Sequence, residues 1–139
     1  AGGVEHLNSG HGVYLKPEVA RLGRDLLPLA SLNSYTMLSA ELAGRAYGGG
    51  LLKMEPGEAG RWLLPSVSTL ESAREPLAAI RPQVGGKLRS GKLLEAVQLV
   101  DEALLTGVLG ISRETVSTVR EARNAMSGRR EARSRVVKN

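Results

Sequence analysis

The apolar positions in the last third of the chain recur at helical spacing. Leu93, Val97, Val100, Leu104 and Val108 fall three or four residues apart between Lys92 and Leu109, which puts them on one face of an α-helix. Gly110 is placed to end that helix. Ser112 is placed to cap a second one starting at Arg113, with Glu114 in its first turn, where a negative charge suits the helix dipole. Val116, Val119, Ala122 and Met126 make the second stripe. Two such helices joined by Leu109-Gly110-Ile111-Ser112 predict an antiparallel helical hairpin, frayed beyond Gly128.

Upstream the pattern is weaker. Leu29, Leu32, Thr36, Ala40 and Ala43 repeat at helical spacing, as do Leu38 and Leu42. This predicts a helix from Pro28, a tolerated first-turn proline, to about Gly44. Pro17 and Glu18 open a shorter helical stretch to Leu26, weakened by Gly23. Residues 4–15 alternate around Asn8–Gly12 and suggest a small β element; Leu51–Met54 suggests another short strand. Ser68 or Thr69 is a candidate cap for a helix through Ile80, disturbed by Pro76, and Pro82–Gly86 reads as a break. The pattern thus predicts a mainly α (α+β) fold: a helical domain with a small β element and a C-terminal antiparallel helical hairpin. It divides into residues 1–65 (β element, apolar helix and Gly-rich turn), 66–128 (a helical region ending in the hairpin) and a disordered basic tail, 129–139.

Composition sharpens this. A chain of 139 residues with no Phe, one Trp and three Tyr must fill its core with aliphatic side chains, which favours helix-on-helix packing. Trp62, surrounded by apolar neighbours, is read as core. No cysteine and two histidines give no disulfide framework and no expected metal site. No apolar run reaches the roughly 18 residues of a membrane span, and no signal-peptide pattern opens the chain, so a soluble, cytoplasmic protein is expected. The chain opens on Ala1 in mid-motif, as a fragment of something longer would.

The net charge of +5 is uneven: residues 1–112 carry eleven basic and eleven acidic side chains, residues 113–139 eight basic and three acidic. A basic arm can follow a polyanion, although a solvated helix end is the commoner explanation. The other feature is the run of three glycines, Gly48, Gly49 and Gly50, between Arg45 and Tyr47 on one side and Lys53 on the other. Such a run is costly inside a helix or strand. Its ordinary explanation is a helix C-cap and loop. Its functional one is a turn where a ligand nears the backbone, flanked by a forked donor, a flat ring and a point charge. No Gly-Lys-Ser/Thr follows, so it is not a P-loop, and it does not open a helix after a strand as a dinucleotide fingerprint would.

The succession HLNSGHGVYL, LASLNSYTMLSAELAGRAYGGGLLKMEPGEAGRWLLP and LVDEALLTGVLGISRETVSTVREARNAMSGRR resembles the C-terminal part of adenine-N6-specific DNA methyltransferases of restriction–modification systems. The resemblance spans nearly the whole chain. Its most specific elements are the Leu-Asn-Ser helix followed by an aromatic and the triple glycine, and the D-x-x-L-L … L-G-I-S helix pair. In that family a Rossmann-like domain binds S-adenosylmethionine and methylates a flipped-out adenine. The Asn/Asp-Pro-Pro-Tyr/Phe motif and the cofactor loop of that domain are absent here.

The resemblance therefore implies a non-catalytic DNA-recognition region. It would have no catalytic residue and no cofactor of its own, with DNA and an N-terminal catalytic domain as partners. Arg45, Tyr47, Gly48, Gly49, Gly50, Lys53, His11, Tyr14 and Lys16 are the candidate DNA-binding residues. A helical domain that docks a subunit without touching DNA is the alternative.

Overall fold

The computed structural model describes residues 12–136. After a 3-10 turn, Pro17–Val19, the elements are α1 (Ala20–Ala30), α2 (Ser34–Ala43), β1 (Arg45–Tyr47), β2 (Leu51–Lys53), α3 (Pro56–Ala59), α4 (Val67–Ser72) and α5 (Arg74–Arg89). Then come α6 (Leu93–Val100), continued by a π-helical segment Asp101–Val108, and α7 (Arg113–Val136). The fold is mainly α with one antiparallel β-hairpin among the described residues. The expected β element near residues 4–15 falls largely outside the described range; residues 12–16 carry no regular secondary structure.

The C-terminal signals act as the sequence suggests. Val97 and Val100 are fully buried and Leu104 nearly so, each such side chain contributing roughly 1.5–3 kcal/mol on burial. Gly110 sits at φ +67° and Ile111 N–H reaches back across it to Leu105 O at 2.9 Å, closing the helix end on a left-handed glycine. Ser112 Oγ accepts from Thr115 N–H at 3.1 Å and caps α7. Two details differ. The helix does not fray at Gly128 but runs to Val136, and Arg123, not Ala122, is buried alongside Val116 and Val119 of the second stripe.

Three further boundaries move. Pro28 lies inside α1, and the break comes at Ser31–Asn33. There Asn33 Oδ1 accepts from Thr36 N–H at 2.9 Å while its amide donates to Ala30 O at 2.7 Å, so one side chain closes α1 and opens α2. Ser66, not Ser68 or Thr69, caps α4, which ends in a kink at Ala73; Pro76 then falls in the first turn of α5, where no donor is required. Pro82–Gly86 does not break the chain either. Leu77 and Val84, one before and one after Pro82, are both buried in α5, and this packing holds the helix through the lost hydrogen bond.

The core gathers Leu26 and Ala30 of α1, Leu70 of α4, Leu77 and Val84 of α5, Val100, Leu104 and Val116. α5 packs on α6 and the π segment, α1 on α4 and α5, and α2 chiefly on α7. The α2 face is unusual: Ser34, Thr36 and Ser39 are buried, while Leu42 is 68% exposed. A polar inner face is tolerable only if its groups are hydrogen-bonded.

Candidate functional site

The triple glycine closes the β1–β2 hairpin. Arg45 pairs across to Lys53, Ala46 to Leu52 and Tyr47 to Leu51, leaving Gly48–Gly50 as a three-residue loop. Gly49 and Gly50 have φ of 76° and 77°, the left-handed region where glycine is favoured. At the base, a Cβ on Gly44 would stand 2.9 Å from Leu52 Cδ1, so Gly44 lets β2 fold back on the end of α2. At the tip a Cβ on Gly48 or Gly49 would meet nothing within 4 Å. The loop is open to solvent on that side.

Arg45 and Lys53 face each other with like charge, an unfavourable cross-strand pair unless compensated. Each has its own acid. Arg45 Nε donates to Glu58 Oε1, and Lys53 Nζ lies 3.0 Å from Glu55 Oε1. The Glu55 N–H, donating at 2.9 Å, and then Arg45 hold the Glu58 carboxyl below its ordinary pKa. The Glu55 carboxylate, by its hydrogen bond and its charge, raises the pKa of Lys53. Tyr47 is 64% exposed, with Lys53 Nζ 5.2 Å from its ring centroid, within cation–π range. From below, Arg130 of α7 donates to Gly50 O and forks onto Glu41 at 3.0 and 2.8 Å.

The structure thus brings Arg45, Tyr47, Gly48, Gly49, Gly50 and Lys53 together at one exposed hairpin. Tyr14, 88% exposed, and Lys16 belong to the segment leading into α1, outside the hairpin. His11 lies outside the described residues. Trp62, expected in the core, is half-buried and donates its indole N–H to Thr36 O at 2.9 Å.

A second constellation has only weak sequence signals. Asp101, 1% exposed, accepts from Ser34 N–H and Ser34 Oγ, both at 2.7 Å, and from Arg120 Nη2 at 2.7 Å. It joins the start of α2, the π segment and α7. Arg113 pairs with Glu102. Arg120 and Arg130, which the sequence offers as part of a basic arm, are therefore engaged internally, while Arg113 stays 78% exposed in its pair. Asp101 is the Asp of the D-x-x-L-L motif and Ser34 the Ser of Leu-Asn-Ser, so that resemblance was the available clue.

No described helix is long and apolar enough to cross a membrane. No curated protein and no solved structure matches the chain significantly. The family model of the C-terminal domain of the Type II methyltransferase M.Eco57I matches residues 1–105, from the N-terminus through the hairpin and α6 to Leu105 in the π segment. With three quarters of its length matched, the chain belongs to the family of Type II methyltransferase C-terminal domains.

Proposed function

We propose that this domain contributes DNA recognition to its methyltransferase and that the β1–β2 hairpin is the element that meets DNA. The observation that carries the reading is the open tip: glycines with unfilled space around them, flanked by an exposed guanidinium, an exposed ring and an exposed ammonium. Arg45 has a side chain 74% exposed, so most of its fork remains free to address a phosphate or a guanine edge. Lys53 would neutralise a phosphate without reading sequence, and Tyr47 would stack or donate its hydroxyl. Glu58, Glu55 and the Arg130 latch under Gly50 supply rigidity, which limits the ordering cost of binding.

The target base is proposed to be adenine at N6, with S-adenosylmethionine as methyl donor, on the strength of the resemblance. On the same resemblance, the cofactor is proposed to bind the catalytic domain of the parent enzyme.

The test is duplex binding by the 139-residue chain across a salt series. Recognition through phosphates gives a log–log slope of about −0.9 per contact. Lys53→Ala should reduce that slope by about one unit and weaken all sequences alike, whereas Arg45→Ala should also narrow the gap between sequences. If both variants keep wild-type affinity and slope while remaining folded, the hairpin is structural.

A further inference from the structure

An open groove of about 740 Å³ lies beside the hairpin, between α2 and α7. Met37, Leu52, Trp62, Leu93 and Leu94 contribute apolar wall, and Arg123 of α7 also lines it. Arg123 is 7% exposed. Its Nε is buried without a hydrogen-bond partner, and no hydrogen bond or ion pair to Arg123 is found among the described residues. Its neighbours are committed elsewhere, Arg120 to Asp101 and Arg130 to Glu41. Of the cations that line the groove, Lys92 is paired with Glu95 and Arg130 with Glu41, which leaves the Arg123 guanidinium as the one with a buried, unpartnered donor. Burial pushes the Arg123 pKa down, opposed by the charges of Asp101 and Glu41; an arginine stays protonated all the same.

A buried charge without a hydrogen-bonded partner is expensive, and here it adjoins a groove large enough to hold a ligand. The groove's other features select among anions. Leu93 and Leu94 stand 42% and 50% exposed, and Glu41, Glu95 and Glu131 also line it. A nucleic acid carries a charge every few ångströms and would set phosphates against those glutamates. One carboxylate between apolar side chains meets one guanidinium and covers the leucines. Arg123 lies on α7, beyond the residues that match the family.

We propose that this groove binds a protein segment carrying a single carboxylate flanked by apolar side chains, the carboxylate completing the hydrogen bonding of Arg123 and the apolar side chains covering Trp62, Leu93 and Leu94. The pair would be charge-assisted and largely desolvated, where such bonds are strongest. This stands independently of DNA contact by the hairpin.

The test uses the 139-residue chain and an acetylated, amidated Leu-Glu-Leu-Leu peptide, with Leu-Gln-Leu-Leu and a duplex dodecamer as comparators. Fluorescence of Trp62, the one tryptophan, and the Arg123 Nε–H resonance report on the groove. The expected result is saturable binding of the glutamate peptide at millimolar concentration, about tenfold tighter than the glutamine peptide, a difference of the size one favourable charge pair gives. Arg123→Met should keep the fold, melt no lower than the wild type, and bind the two peptides equally.

Several results would overturn the proposal. Equal binding of both peptides to the wild type would make the groove merely apolar, and no binding at millimolar peptide would leave no site. Duplex DNA moving the same two signals at lower concentration would make the occupant a nucleic acid. A clear fall in the melting temperature of Arg123→Met would make the guanidinium structural.

Discussion

The hairpin and the α2–α7 interface use the same residue types, arginine paired with a carboxylate, to different physical ends. In the hairpin, the side chain of Arg45 is 74% exposed and that of Glu58 6%, so water competes for the guanidinium and the pair limits mobility more than it adds stability. In the interface, Asp101 has a side chain 1% exposed and Arg130 one that is 16% exposed. There each missing partner would leave a charge stranded in a poor solvent. Neither motif nor charge count distinguishes the two places; burial does. In the basic stretch that suggests a polyanion-binding arm, Arg120, Arg123 and Arg130 are turned inward, while Arg45 and Lys53 stand exposed on a hairpin in the charge-neutral part of the chain.

Substitutions should separate the two regions by size of effect. Asp101→Ala removes the acceptor of Ser34 and Arg120 together and should cost roughly 3–5 kcal/mol, measured by urea unfolding. A loss below 1 kcal/mol would mean that the interface is as weakly held as the surface. Leu104→Ala, a fully apolar site beside it, should cost about 2–5 kcal/mol and serves as the yardstick for core burial. A melting temperature unchanged by it would place the stripe outside the core.

Glu41→Gln breaks the fork of Arg130 and should cost about 1–3 kcal/mol. It should also raise amide exchange at Gly50 and Leu51, because Arg130 links that carboxylate to the hairpin. The smallest effect concerns pH. The folded-state pKa of Glu58 is depressed, chiefly by the Glu55 N–H and then by Arg45. Its contribution is therefore present above the ordinary value near 4.5 and is lost as pH falls through the lower folded value. Glu58→Gln should flatten the acid limb of the stability–pH curve slightly, and a limb of unchanged slope would remove Glu58 from that account.

Much of the α6–α7 half was legible because its signals are local. A stripe, a glycine at the left-handed position and a serine cap each act within one turn of their own place. The α1–α2 boundary was not. Its break depends on Asn33 bonding both ways and on Asp101, 67 residues further along, and Pro28 mimicked a start. Pro82 looked like a stop because the buried Leu77 and Val84 on either side of it are visible only in the fold. Arg45–Tyr47 is a three-residue strand, too short to show alternation, so the glycines read as a turn leaving a helix when they close a hairpin. For α2, helical spacing and the burial of Thr36 were right, but Leu42 is exposed and the buried Ser34 and Ser39 were missed. Ser34 and Ser39 turn inward because Asp101 and Leu63 N–H give their hydroxyls partners, and sequence periodicity carries no record of partners.

The Arg130 latch, with the arginines that precede it on α7, bears on how much of this molecule folds by itself. The stretch shared with the family stops at Leu105, five residues before the glycine that turns the chain toward α7. A polypeptide cut there would keep the hairpin, both of its acids and every core leucine. It would lose the helix that covers α2, the hydrogen bond under Gly50, and the guanidinium groups facing Asp101 and Glu41. Two carboxylates would then have to find water, and α2 could supply it only by leaving its place. The shared stretch is accordingly a unit of ancestry but not of cooperativity, and the smallest piece expected to melt as one body includes α7 at least as far as Arg130.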